Sequence, residues 1–120
     1  MPQQQQDWFV RQIQMLVQFI AHVILNIDAS AFEMNEEQMG EMGELYVQLS
    51  DMLIAGDICA AEDVLYDSFI PGEDYLRLSM WFYSELNKMT DEALQSSDFS
   101  REEIYDGLRD VLCKNGITLP

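Results

Sequence analysis

The fold of this chain is decided by residues 49–65, which read LSDMLIAGDICAAEDVL. Apolar residues recur at helical spacing on both sides of Gly56, and glycine takes the left-handed conformation at the end of a helix without strain. Asp57 follows at once and is a favourable residue to cap the next helix. Because so short a junction turns the chain back on itself, the stretch predicts an antiparallel helical hairpin, in which the small Ala61 allows close approach.

The same periodicity continues on both sides of the hairpin and predicts an all-α fold. About five helices are expected, at roughly residues 8–26, 36–55, 58–70, 73–89 and 101–115, with a short helical turn at 90–97. Asp7 is expected to cap the first helix, and Asn35 with Gln38 resembles a capping box for the second. Ser100 with Glu103 forms the clearest capping box of the chain.

These helices are expected to form one compact domain over residues 1–120. Helices 2 and 3 and helices 4 and 5 are expected to stack as antiparallel hairpins, with helix 1 packed along them. Residues 1–6 are assigned to a polar N-terminal extension and residues 117–120 to a short C-terminal tail. Gly40 and Gly43 lie within helix 2, so either its first turn frays or another backbone packs closely there.

The chain is strongly acidic, with 22 acidic and 6 basic residues and a net charge of −16. Nucleic acid is excluded as a partner, because its phosphates need clustered Lys and Arg to displace their counterions. An anionic membrane surface is disfavoured for the same reason. A solvated acidic surface that keeps the protein soluble is the simplest interpretation, and a basic partner is the alternative.

The cysteines and the first residues predict a cytoplasmic protein. Cys59 and Cys113 belong to no paired motif, and residues 1–7 are polar and rich in glutamine, unlike a signal peptide. Residues 8–27 have the length of a membrane span, but a polar stripe at helical spacing favours a soluble helix. The stripe consists of Arg11, Gln14, Gln18, His22 and Asn26.

The rest of helix 1 is apolar over a wider arc than a peripheral helix needs. We therefore expect helix 1 to contact at least two neighbours, from its own chain or from a second one, with Phe19 and Ile20 inside the buried arc. Helix 4 has an equally broad apolar surface, which predicts that it is buried on two sides.

No residue is assigned a catalytic, cofactor-binding or metal-binding role. His22 is the single histidine, so any Ser-His-Asp triad or Cys-His pair would have to use it. A di-iron site is excluded, because it needs Glu-x-x-His motifs on two helices. Structural zinc needs four Cys or His ligands, and the chain has three such residues. No glycine-rich phosphate loop occurs. A site built only from carboxylates stays open among the 22 acidic residues.

The aromatic residues of helices 1 and 4 give the strongest indication of an interaction. Trp8-Phe9 and Trp81-Phe82-Tyr83 place large rings on different sides of a helix, since neighbouring residues point about 100° apart. A central position in the bundle would bury them, and otherwise they anchor an interface. The candidate partner-binding residues are Trp8, Arg11, Tyr75 and Trp81.

Two resemblances extend this interpretation. The stretch Gly56-Asp57-Ile58-x-x-Ala61 resembles the middle of a tetratricopeptide repeat, which implies that style of hairpin packing over about residues 42–71. The stretch Gln6-Asp7-Trp8-Phe9-Val10-Arg11-Gln12-Ile13, with the helix that follows it, resembles a small uncharacterised family of helical proteins from Gram-positive bacteria. That family implies a compact helical protein in the cytoplasm, with no known activity or site.

The sequence leaves the biochemical function unknown and favours a non-catalytic protein-interaction or scaffolding module, including one that associates with itself. The first alternative is an acidic inhibitor or nucleic-acid mimic that binds a basic partner. The second alternative is a small carboxylate-based metal-binding protein or enzyme.

Overall fold

Helices account for most of the chain. The computed structural model describes residues 2–26 and 36–117. The helices are α1 (Pro2–Phe19), α2 (Gly43–Ile54), α3 (Ile58–Asp67), α4 (Glu73–Lys88), α5 (Asp91–Ser96) and α6 (Arg101–Lys114). A π-helical turn, Ile20–Ile24, continues α1, and a 3-10 segment, Glu36–Met42, leads into α2. Because none of the described residues lies in a strand, the prediction of an all-α fold is confirmed.

The central element is α4, which has ten buried residues spread around its circumference. It packs against α1, α6 and the 3-10 segment, while α1 also packs against α6. The predicted burial of this helix on two sides is therefore confirmed. Within the described residues no helix is both long enough and apolar enough for a membrane span.

The hairpin around Gly56 is present, with α2 packed against α3. Gly56 has φ +83°, the left-handed conformation for which glycine is suited. The proposed cap by Asp57 is only half right. Its backbone carbonyl accepts a hydrogen bond from the Ala61 N–H at 2.9 Å, but its carboxylate makes no capping bond.

The predicted boundaries of the first two helices need correction. α1 begins at Pro2, because proline is favourable in the first turn and glutamine continues a helix, so Asp7 lies inside α1 rather than at its cap. Gly40 has φ +57° and interrupts the start of helix 2, where the Asp74 side chain, rather than another backbone, packs against it. The proposed cap residue Asn35 lies outside the described residues.

The later boundaries agree more closely with the sequence. α3 ends at Asp67, three residues before the predicted end, and α4 ends one residue early. The capping box of α6 is confirmed, since the Ser100 hydroxyl accepts from the Glu103 N–H and the Glu103 carboxylate accepts from the Ser100 N–H. Thr90 caps α5 by accepting a hydrogen bond from the Ala93 N–H at 3.1 Å.

Candidate functional site

α1 and the π-helical turn that continues it carry a line of large apolar side chains, which the described elements leave about half exposed. We call this line the α1 stripe, and it consists of Trp8, Met15, Phe19 and Val23. Each of the four side chains leaves between 44% and 61% of its surface exposed. Met15, Phe19 and Val23 follow at intervals of four residues and so form a continuous ridge along the helix.

The stripe is exposed because both neighbours of α1 lie on its opposite side. The inner face is buried against α4 and α6, through Ile13, Val17, Ile20, Ala21 and Leu25. The predicted contact of helix 1 with two neighbours is thus confirmed, as is the exposure of its polar stripe. The expected burial of Phe19 is wrong, because the two neighbours cover only part of the apolar arc.

Side chains from α4 and α6 hold α1 in place beneath the stripe. The Asn87 amide on α4 donates a hydrogen bond to the Val10 carbonyl at 3.2 Å. Trp8 packs edge-on against Tyr105 of α6, with ring centroids 5.6 Å apart. The guanidinium of Arg109 lies over the Tyr105 ring at 5.5 Å. The stripe therefore sits on a helix supported by the core rather than on a loop.

A second apolar feature is a groove between α2 and α4, with a volume of about 420 Å³. Trp81 forms its floor and packs against Tyr46 with ring centroids 4.6 Å apart. Ile54 stands on the rim and is highly exposed. At the other edge Lys88 donates to the Glu85 carboxylate at 2.9 Å. The groove thus combines an aromatic floor with a charged edge.

An acidic cleft of about 430 Å³ lies between α3 and α6 and is lined by Glu62, Tyr66, Glu103, Asp106, Gly107 and Asp110. The buried Tyr83 hydroxyl donates a hydrogen bond to the Glu62 carboxylate at 2.8 Å. Gly107 leaves the room for this pair, because a Cβ at that position would overlap the Glu62 carboxylate and lie 2.6 Å from the Tyr83 hydroxyl. Above the cleft, the Lys114 ammonium lies 4.3 Å from the centre of the Tyr66 ring.

The cleft changes the acidity of its side chains. Burial raises the pKa of the Glu62 carboxyl, the Tyr83 hydrogen bond lowers it, and the negative charge of Glu103 raises it further. Burial also raises the pKa of the Tyr66 and Tyr83 hydroxyls, so both donate rather than ionise. The cleft therefore favours a proton or a positive charge beside Glu62.

The four candidate contact residues have different environments. Trp8 and Arg11 are exposed on α1, whereas Trp81 is only 6% exposed and contributes to the floor of the groove. Tyr75 is fully buried and is not on the surface of this structure, and its hydroxyl donates to the Leu65 carbonyl at 2.7 Å. Burial raises its pKa to about 12.

The exposure of Met15 and Val23 was not predicted from the sequence. The available signal was their spacing from Phe19, four residues in each direction, directly beside the polar stripe. The role of Gly107 was not predicted either, because it depends on groups from α3 and α4.

The side chains that bind metal ions in proteins form no metal site among the described residues. No three His, Cys, Asp or Glu side chains among them are placed to hold a metal ion. His22 is exposed on the polar stripe of α1. Cys59 and Cys113 are exposed free thiols.

Fold and surface together define a small, acidic, all-α domain that carries an exposed apolar stripe on a helix held by the core. The chain belongs to a family described as "Family of unknown function (DUF6483)", whose model matches residues 3–116. This finding confirms the resemblance to an uncharacterised family, which carries no activity or site over to the chain. No curated protein and no solved structure matches the chain.

Proposed function

We propose that this protein is a non-catalytic interaction module that binds a protein partner through the α1 stripe. The observation that supports the proposal is the exposure of four large apolar side chains in one line. Patches of this kind on small proteins mark sites of association.

The size of the stripe suits a small and weak contact. A fully exposed Trp or Phe offers roughly 150–250 Å², so the four partly exposed side chains present roughly 400 Å². At about 25 cal/mol per Å², burying this surface contributes about 10 kcal/mol before the costs of association are subtracted. Trp8 and Phe19 supply the aromatic groups that most often dominate the energy of an interface.

Photo-crosslinking in cells that produce the protein tests the proposal. A photoreactive amino acid is placed at position 15 in the stripe or, as the matched control, at position 14 in the polar stripe of the same helix. We expect a protein adduct from position 15 and much less from position 14, and mass spectrometry then identifies the adduct. Equal yields at the two positions, or none at position 15, would contradict the proposal.

A second candidate function, binding of a basic partner, is favoured by the acidic cleft between α3 and α6. Three carboxylates, those of Glu103, Asp106 and Asp110, lie there around the partly buried Glu62, whose pKa is raised. An inhibitor or nucleic-acid mimic that occupies a basic cleft would use such a surface. Titration with an oligoarginine peptide, followed by NMR, tests this function. Salt-sensitive shifts at Glu62 and Gly107 would support it, and shifts spread evenly over the acidic surface would oppose it.

Two further expectations belong to the proposal. We place the protein in the cytoplasm, and the two exposed free thiols are compatible with that reducing compartment. We also propose that its partner is neither nucleic acid nor a membrane, because the net charge of −16 repels phosphate and anionic lipid.

A further inference from the structure

We infer that the partner of the α1 stripe is a second copy of this chain, packed antiparallel across a twofold axis near Met15. The inference rests on the proposed function of the stripe and specifies its occupant.

The stripe lies on the electrically neutral part of a very acidic protein. Residues 2–26 contain one acid, Asp7, and one base, Arg11, so 21 of the 22 acidic residues lie elsewhere. On α1 itself a strongly basic partner would find a single carboxylate, Asp7, and an acidic partner a single cation, Arg11. A partner that fits must be apolar and nearly uncharged along its contact face, and α1 of a second copy is such a face.

The order of residues favours an antiparallel pair. With Met15 on the twofold axis, Arg11 of one copy faces Phe19 of the other, so its guanidinium can stack on the ring. Trp8 then faces His22, and the two Asp7 carboxylates lie about 24 Å apart along the helix axes. A parallel pair would instead bring Asp7 against Asp7 and Arg11 against Arg11, which like-charge repulsion opposes.

Arg11 has the freedom that this contact requires. It is exposed, and among the described residues it makes no ion pair or hydrogen bond.

The stripe offers roughly 400 Å² per copy, about half of what each partner contributes to a standard interface. An interface of this size lies at the small end for specific association, so the dimer is expected to be weak.

Sedimentation equilibrium over protein concentrations from about 5 to 500 µM tests the inference. We expect the average mass of the wild type to rise from 13.9 kDa toward twice that value. Phe19→Asp, which puts a carboxylate in the stripe, should remain monomeric, whereas Gln18→Asp adds the same charge to the polar stripe beside it and should still dimerise. Circular dichroism is the control, and it should show that both variants are folded.

Salt distinguishes this dimer from an ion-paired one. Two bodies that each carry −16 repel, and salt screens the repulsion, so the dimer should strengthen between 50 and 500 mM NaCl. An association that weakens with salt would overturn the inference, since it would indicate contact between unlike charges.

Cysteine crosslinking tests the antiparallel arrangement. With Cys59 and Cys113 replaced by serine, Met15→Cys should form a disulfide-linked dimer on mild oxidation, and Val23→Cys should not, because the two sites would be about 24 Å apart. Equal crosslinking at both positions would overturn the antiparallel register. If the wild type is monomeric and photo-crosslinking at position 15 captures another protein in cells, self-association is overturned and the proposed function stands. If the wild type is monomeric and position 15 gives no protein adduct, both the self-association and the proposed function are overturned.

Discussion

Replacing Arg101 with lysine should cost far more stability than a conservative change usually does. Arg101 is the first residue of α6 and is only 6% exposed. Its guanidinium donates to the Asn87 carbonyl at 2.9 Å, to the Met89 carbonyl at 2.6 Å, and twice to one carboxylate oxygen of Asp91, at 3.0 and 3.1 Å. One planar group thus ties the end of α4 to the start of α5 and of α6.

The geometry sets the size of the effect. A lysine ammonium keeps the charge but is a single point, so it cannot reach both carbonyls and the carboxylate together. At least two hydrogen bonds from a charged donor should be lost, at about 1.5–3 kcal/mol each before water compensates at the exposed carboxylate. We expect a net loss of about 2–3 kcal/mol for Arg101→Lys and about 3–5 kcal/mol for Arg101→Ala, which leaves buried carbonyls without donors.

Urea unfolding followed by circular dichroism measures both losses. Arg109→Lys is the matched control, because Arg109 is exposed and makes a single hydrogen bond, to the Tyr105 hydroxyl at 3.2 Å. That variant should change the free energy of unfolding by less than about 0.5 kcal/mol. If Arg101→Lys were no more destabilising than the control, Arg101 would not join the three helices in the way described.

Four further predictions follow from the core, the acidic cleft and the net charge. Gly107→Ala forces a methyl group into the buried tyrosine–carboxylate pair and should lower the free energy of unfolding by about 1–3 kcal/mol in urea, whereas a neutral effect would mean that the pair moves aside freely. Ile20→Asp should unfold the protein or lower its free energy of unfolding by several kcal/mol, because Ile20 is fully buried, whereas Phe19→Asp should leave thermal unfolding of the monomer nearly unchanged. Similar losses of stability in the two variants would mean that the stripe is buried. Because the pKa of Glu62 in the folded protein is raised above its usual value of 4.5, ionisation of this carboxyl destabilises the fold above that pH. Glu62→Gln should therefore raise the melting temperature at pH 7 and lose that advantage below pH 4.5, and an equal effect at both pH values would contradict the prediction. Finally, the described residues form three ion pairs while the chain has 22 acids, so melting temperature should rise from low to physiological ionic strength, and a flat or falling trend would indicate locally paired acids.

Local chemistry made much of the fold predictable. The Ser100–Glu103 capping box and the left-handed Gly56 depend on groups a few residues apart, and both occur as expected. The start of α1 was predicted too late, at residue 8, because Asp7 is a favourable cap residue. The residues before it are equally able to form a helix, and α1 begins at Pro2.

The candidate surface was only half predictable. Periodicity identified the polar stripe of α1, and the structure exposes it. Periodicity could not divide the apolar arc, because Phe19 and Ile20 are alike in sequence and differ only in where α4 and α6 lie. Tyr75 shows the same limit, since an aromatic residue that looks suited to an interface is fully buried.

The sequence by its own pattern establishes which segments are helical, where most of them end and how acidic the surface is, because these properties depend on neighbouring residues. Tertiary structure decides which apolar side chains remain exposed, that Arg101 joins three helices, and that Gly107 makes room for the Glu62–Tyr83 pair. Each of these features depends on groups from different helices, and only packing brings them within reach of one another.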